Sequence, residues 1–207
     1  MMRKIWLMFA LPMLLGCNAE QSANRRAHDP AVANQPTEQA VENALPAANV
    51  TAGKSDGRSQ FTSIDPVKCR LIEENREEGG WWRRLCDGAA GYKLEISESD
   101  LRQDIVVVAA DGRRHELGLS EIVANGAFNT LGKTAEWRGV DSSNPEVLIV
   151  RLGVASDPEG KKPDVSNLVV VRLKPSACIV AVVPPAANQN AQARVIADGN
   201  PRSCLRA

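Results

Sequence analysis

The sequence predicts an α+β fold that is mainly antiparallel sheet, with about seven to nine strands and one C-terminal helix; a small β-sandwich is the alternative. Three observations predict it. From Cys69 onward, short β-branched runs alternate with Gly, Asp and Pro turn signals. Asp111-Gly112 stands between the apolar run 105–108 and the returning run 113–117, a strong hairpin signal because both central residues of a type I′ turn need positive φ. Only residues 188–198 read convincingly as a helix, stopped by Gly199 and Pro201.

The chain opens with Arg3 and Lys4, continues with an uncharged apolar run over 5–15, and reaches Leu14-Leu15-Gly16-Cys17. A basic start, a short apolar stretch and a small residue before the cut mark a secretory signal. The run is shorter than the roughly 20 residues a membrane span needs. Leu14-Leu15-Gly16-Cys17 resembles the lipobox of bacterial lipoproteins. The resemblance implies a signal peptide at 1–16. It further implies that Cys17 becomes the first mature residue, with diacylglycerol on its sulfur and a fatty chain such as palmitate on its freed amine. Two lipid signals give stable anchoring, each buried CH₂ adding about 0.8 kcal/mol. Asn18, in place of an aspartate, implies the outer membrane, so the expected site is the cell envelope, facing the periplasm.

Residues 18–57 are rich in Ala, Asn, Gln, Pro and Glu, with no Trp, Tyr or Phe. Such a segment cannot bury enough surface to offset its ordering entropy, so 17–57 reads as a lipidated cysteine and tether. Its reach is roughly 35 Å as a flexible coil. A brief helix over 38–45 would end at Pro46.

Residues 58–207 then form one domain, long enough for a real core. Charge is balanced, 25 basic against 25 acidic residues in the whole chain. With no basic field to hold phosphates, nucleic acid is not an expected partner. Cys69, Cys86, Cys178 and Cys204 remain once Cys17 is lipidated. An even number in an exported chain reads as a disulfide set. Of three pairings, Cys69–Cys86 and Cys178–Cys204 are favoured because each closes a local loop. No C-x-x-C cluster is present, so no metal site is expected, and nothing implies a cofactor.

The strands follow in order. Ile64-Asp65-Pro66 turns into a first strand at 69–74. Glu77-Glu78-Gly79-Gly80 turns it back, and 81–86 returns. With Cys69 opposite Cys86, Glu73 would face Trp82 and Glu74 would face Trp81, unless a glycine bulge shifts the register by one. Residues 92–97 alternate apolar and polar as a half-buried strand. Residues 120–125 form one or two helical turns with Gly126 as the stop. Residues 133–140 and 146–154 are two more strands, and 156–165 is a loop. The runs 168–173 and 178–183 form a hairpin whose continuous valines predict burial on both faces. In the last helix, Ala191, Val195 and Ile196 form the expected packing face.

Trp81-Trp82-Arg83-Arg84 is the most suggestive patch and the candidate binding site. On a strand one tryptophan faces the core and its neighbour faces out, and an exposed Trp beside Arg can stack on a sugar or grip a protein. Glu73, Glu74, Glu77 and Glu78 read as a solvated hairpin tip. His115 is the domain's one histidine. No motif such as G-x-S-x-G gives it a nucleophile, so no catalytic residue is assigned and enzymatic activity is left uncertain. Gly126–Thr134 departs from a P-loop by having five residues between its glycines, and reads as a loop leading into a strand. Gly79-Gly80, Cys86, Gly91-Tyr92 and Ser99-Asp100-Leu101-Arg102-Gln103 resemble stretches of small exported bacterial proteins without an assigned activity. The expectation is a lipid-anchored binding or interaction domain. Its partners would be the membrane, through the lipid on Cys17, and an envelope protein or glycan. The alternatives are an envelope hydrolase or an inhibitor of such hydrolases.

Overall fold

The structure is a computed structural model that describes residues 58–199 and 203–206. The signal peptide, Cys17, the tether with its brief helix, and Pro201 lie outside those residues. Ten strands form two five-stranded antiparallel sheets. The first holds, in order, β1 (Ser59–Ser63), β7 (Asn129–Gly139), β8 (Pro145–Val154), β9 (Val165–Arg172) and β10 (Cys178–Val183). The second holds β2 (Arg70–Asn75), β3 (Trp81–Asp87), β4 (Lys93–Ser99), β5 (Arg102–Val108) and β6 (Arg114–Glu116), a run of hairpins. α1 is the short turn Leu119–Ile122 and α2 is Gln189–Asp198.

The mainly antiparallel sheet with a C-terminal helix stands, and the two sheets share one core, as in a sandwich. Leu94, Ile96, Ile105 and Val107 of the second sheet join Trp137, Leu148, Val150, Val169 and Ile179 of the first in one buried cluster. Alternation with period two sends these residues inward and their neighbours outward. Trp137 is fully buried and donates from Nε1 to Thr62 Oγ1 at 2.8 Å, satisfying its polar handle. Gly88 makes room for that ring: a Cβ there would stand 2.5 Å from Trp137 Cζ2.

The first sheet is buried on its other face too. Val147, Ile149, Leu168, Val170 and Val183 pack against Ala193 and Ala197 of α2. This double burial accounts for the continuous valines of β9. The helix turns a different face inward from the one expected. Gln189, Ala193 and Ala197 are buried and Ile196 packs beside them, whereas Val195 is 71% exposed and Ala191 is exposed. Polar anchors at both ends decide the rotation. Gln189 Nε2 donates to the carbonyls of Ser166 and Val183, at 2.8 and 2.9 Å. Arg138, itself 4% exposed, donates from Nε and Nη2 to Asp198, at 2.8 and 2.9 Å.

Two further differences have local causes. β1 has no apolar alternation to announce it; its order comes from the ladder with β7 and from Ser59 Oγ donating to Glu136 at 2.7 Å. β7 begins at Asn129 instead of near residue 133, so it starts inside the glycine stretch 126–134 and no helix follows that loop. Both disulfides form, with Cα separations of 4.6 Å for Cys69–Cys86 and 5.7 Å for Cys178–Cys204. The tail cysteine brings Leu205 N onto the Ile179 carbonyl at 2.8 Å, which covers part of the β10 edge.

Candidate functional site

The outer face of the second sheet is the candidate surface. α2 packs against the first sheet, whereas among the described elements this face meets only the short α1, at its β5 side. Its residues are set by β3 and its neighbours. Cys86 is 1% exposed in the core, so Trp82 and Arg84 share its inward face, and Trp81, Arg83 and Leu85 point outward.

The Trp81-Trp82-Arg83-Arg84 patch is therefore divided between two faces. Trp82 packs against the core and donates from Nε1 to Glu98 Oε1 at 3.1 Å. Arg84 lies 5.7 Å from the Trp82 ring centroid and donates to the carbonyls of Pro66 and Cys69, at 3.1 and 3.4 Å. Those contacts commit Trp82 and Arg84 to structure. Trp81 and Arg83 remain on the solvent side.

The β2–β3 register fixes what stands beside them. Glu73 faces Arg83, Glu74 faces Trp82 and Asn75 faces Trp81. This is the register shifted by one, and the irregularity lies at Ile72 within β2, between Leu71 and Glu73, instead of at the glycines of the turn. The consequence is chemical. Arg83 Nη2 meets Glu73 Oε2 at 2.5 Å and its Nη1 meets Glu95 Oε1 at 3.1 Å. Arg114, from β6, reaches Glu95 Oε2 at 2.8 Å. Glu95 is only 5% exposed at the centre of the face, under two guanidinium groups. The Glu73 carboxylate, with Glu95 behind it, raises the Arg83 pKa above its ordinary value, so its charge is permanent.

Around this centre the outward side chains are polar and mixed in sign. Lys93 pairs with Asp87 at 3.3 Å. Ser97 and Ser99 alternate outward on β4 beyond Glu95, and Ser99 stands opposite Trp81. Asp104 is not a free acid: its Oδ1 accepts from Leu119 N at 3.0 Å and its Oδ2 from Ser120 N at 3.3 Å, which caps α1. Glu95, Arg114, Ser97 and Ser99 were not singled out in the sequence. The alternation of β4 is visible in the sequence, but not that β3 stands beside it and that Arg114 reaches Glu95 from β6 across β5.

His115 lies elsewhere. It pairs with Val107 and lines a shallow hollow with Tyr92, Asp111, Arg113 and the 173–175 turn. Asp111 accepts from Arg113 N and Nε, at 3.0 and 2.7 Å, and these bonds hold its pKa below the ordinary carboxylate value. That acid is thus engaged by Arg113 and not by His115. Among the described residues no serine, threonine or cysteine lines the hollow. Among the described residues no group of three or more His, Cys, Asp or Glu is placed to hold a metal. No family model, no curated protein and no solved structure matches the chain.

Proposed function

We propose that this chain is a lipid-anchored protein of the cell envelope whose β domain is a binding module. The carrying observation is the asymmetry of the two sheets. The first has its outer face under α2; the second presents Trp81, Arg83 and a ring of hydrogen-bonding groups, with only the short α1 at its β5 side. An unpartnered face with an aromatic beside arginine has the composition of an interaction surface. The two disulfides support an oxidising compartment. The anchor rests on Leu14-Leu15-Gly16-Cys17: Cys17 carries the lipid and the domain faces the periplasm from the outer membrane.

Two measurements test this. Cys17→Ser should abolish labelling of the protein by radioactive palmitate and release it from the membrane fraction; continued labelling would refute the anchor. The full chain, solubilised from its own envelope, should retain a partner that is lost in Arg83→Ala, because that change strips the face of a paired guanidinium. Recovery of nothing above background would count against a binding role.

A further inference from the structure

We propose that the end of this face carried by Trp81 is a subsite for a neutral glycan chain; this inference rests on the binding-module reading above. The registers line up Asn75, Trp81, Ser99 and Arg102 in one row across β2, β3, β4 and β5. Four neighbouring strands give such a row a length of about 14 Å. Ser97 and Arg83 form the next row inward from it.

The two tryptophans differ in what their ring nitrogens do. Trp82 Nε1 is spent on Glu98. Among the described residues Trp81 Nε1 has no hydrogen-bond partner, nor have the hydroxyls of Ser97 and Ser99. Asn75 Oδ1 accepts from Glu77 N at 2.8 Å, which points its amide NH₂ group away from the turn. An indole with a solvent-side face, bordered by an amide and two hydroxyls, matches a sugar ring. The apolar C–H face of the sugar lies on the indole, and its hydroxyls take up the surrounding donors and acceptors.

Charge selects the class of glycan. Arg83 is paired with Glu73 and Glu95, Arg114 with Glu95, Lys93 with Asp87, and Arg102 with Asp100. Such pairs offer planar donors and acceptors without a net field, which favours a polyol over a phosphate or a sulfated chain.

The row is also held still. Asp100 and Leu101 take positive φ, +50° and +58°, at the β4–β5 turn. Arg102 pins that turn by bonding Asp100 and by donating from Nε to the Gly126 carbonyl at 2.8 Å, with its guanidinium 4.8 Å from the Phe128 ring centroid. A rigid row loses little freedom when a ligand settles on it.

The test uses the full-length lipidated protein in detergent micelles with three neutral probes: chitohexaose, cellohexaose and maltohexaose. At least one should bind with a Kd of about 1 mM or tighter and shift the indole N–H resonance of Trp81 while leaving that of Trp82 in place. Trp81→Leu should weaken binding about tenfold or more, and Trp81→Tyr, which keeps an aromatic face, should retain most of it. Equal thermal midpoints for the three proteins would show that the loss is local. Failure of all three probes at about ten times that concentration would overturn the inference, as would unchanged binding by Trp81→Leu or tighter binding of dextran sulfate than of any neutral probe. Recovery of an envelope protein partner alongside such a failure would leave the binding-module reading standing and remove only the glycan.

Discussion

Glu95 carries a carboxylate at the centre of an outward sheet face, yet is nearly enclosed. The two arginines above it explain how: each supplies charge-assisted hydrogen bonds and covers it with its own stem. Glu95→Gln would keep one oxygen acceptor but turn an amide NH₂ group, a donor, towards the other guanidinium, and would remove the negative charge between the two. We expect a loss of about 1–3 kcal/mol of stability, read as a lower urea midpoint. A neutral result would mean that Glu73 and water replace it fully. Gly88 has a separate constraint. Its added Cβ would also lie 2.8 Å from the Tyr92 carbonyl, so Gly88→Ala must displace the Trp137 ring. A cost of about 1–3 kcal/mol is expected from overpacking, with altered tryptophan fluorescence. Neither role is legible in the chain: Glu95 reads there as an ordinary outward residue of an alternating strand, and nothing near Gly88 announces the Trp137 ring that packs on it.

At the scale of elements, β2 and α2 show where local pattern stops being informative. β2 is exposed along its whole length, so no apolar stripe resists a slip in register. The Cys69–Cys86 bond and the irregularity at Ile72 set the register instead. Replacing both cysteines by serine should lower stability by about 2–4 kcal/mol, measured by denaturant unfolding. It should also loosen the β2–β3 pairing, seen as faster amide exchange at Glu73 and Glu74. Exchange unchanged there would mean that the strand order comes from Arg83–Glu73 alone. α2 has weak amphipathicity, and its apolar residues were a poor guide to its orientation. Gln189 and Asp198 orient it through bonds to Val183, six residues before Gln189, and to Ser166 and Arg138, which are far from the helix in sequence and supplied only by folding.

For the whole molecule, acid stability follows from turn carboxylates. Asp65 has its pKa lowered first by its bond to Lys133, Asp111 by the backbone and side chain of Arg113, and Asp141 by Ser143. In each case the folded chain holds its proton less readily than the unfolded chain. The stabilisation is therefore complete above the unfolded value of about 3.9 and is lost as pH falls through the lower folded values. The thermal midpoint should be flat above about pH 5 and fall below about pH 4, and Asp65→Asn should reduce the fall. An unchanged slope in that variant would assign the acid sensitivity to other groups.

Local sequence signals were enough for mostly antiparallel strands, the terminal helix, both cysteine pairings and the hairpin around Asp111-Gly112, because each rests on neighbours close along the chain; the turn type was not, since Gly112 takes positive φ, +86°, but Asp111 does not, so the turn is not type I′. Residue order at 1–17 likewise carries the expectation of export and lipidation. Only tertiary structure decided which strands share a sheet and that a second sheet closes the core. It also decided that Trp82 and Arg84 turn inward while Trp81 joins Asn75, Ser99 and Arg102 in one row. The reason is physical. A strand's period tells which residues share a face, but the face that meets water, and the residues from other strands beside it, depend on contacts made across the fold.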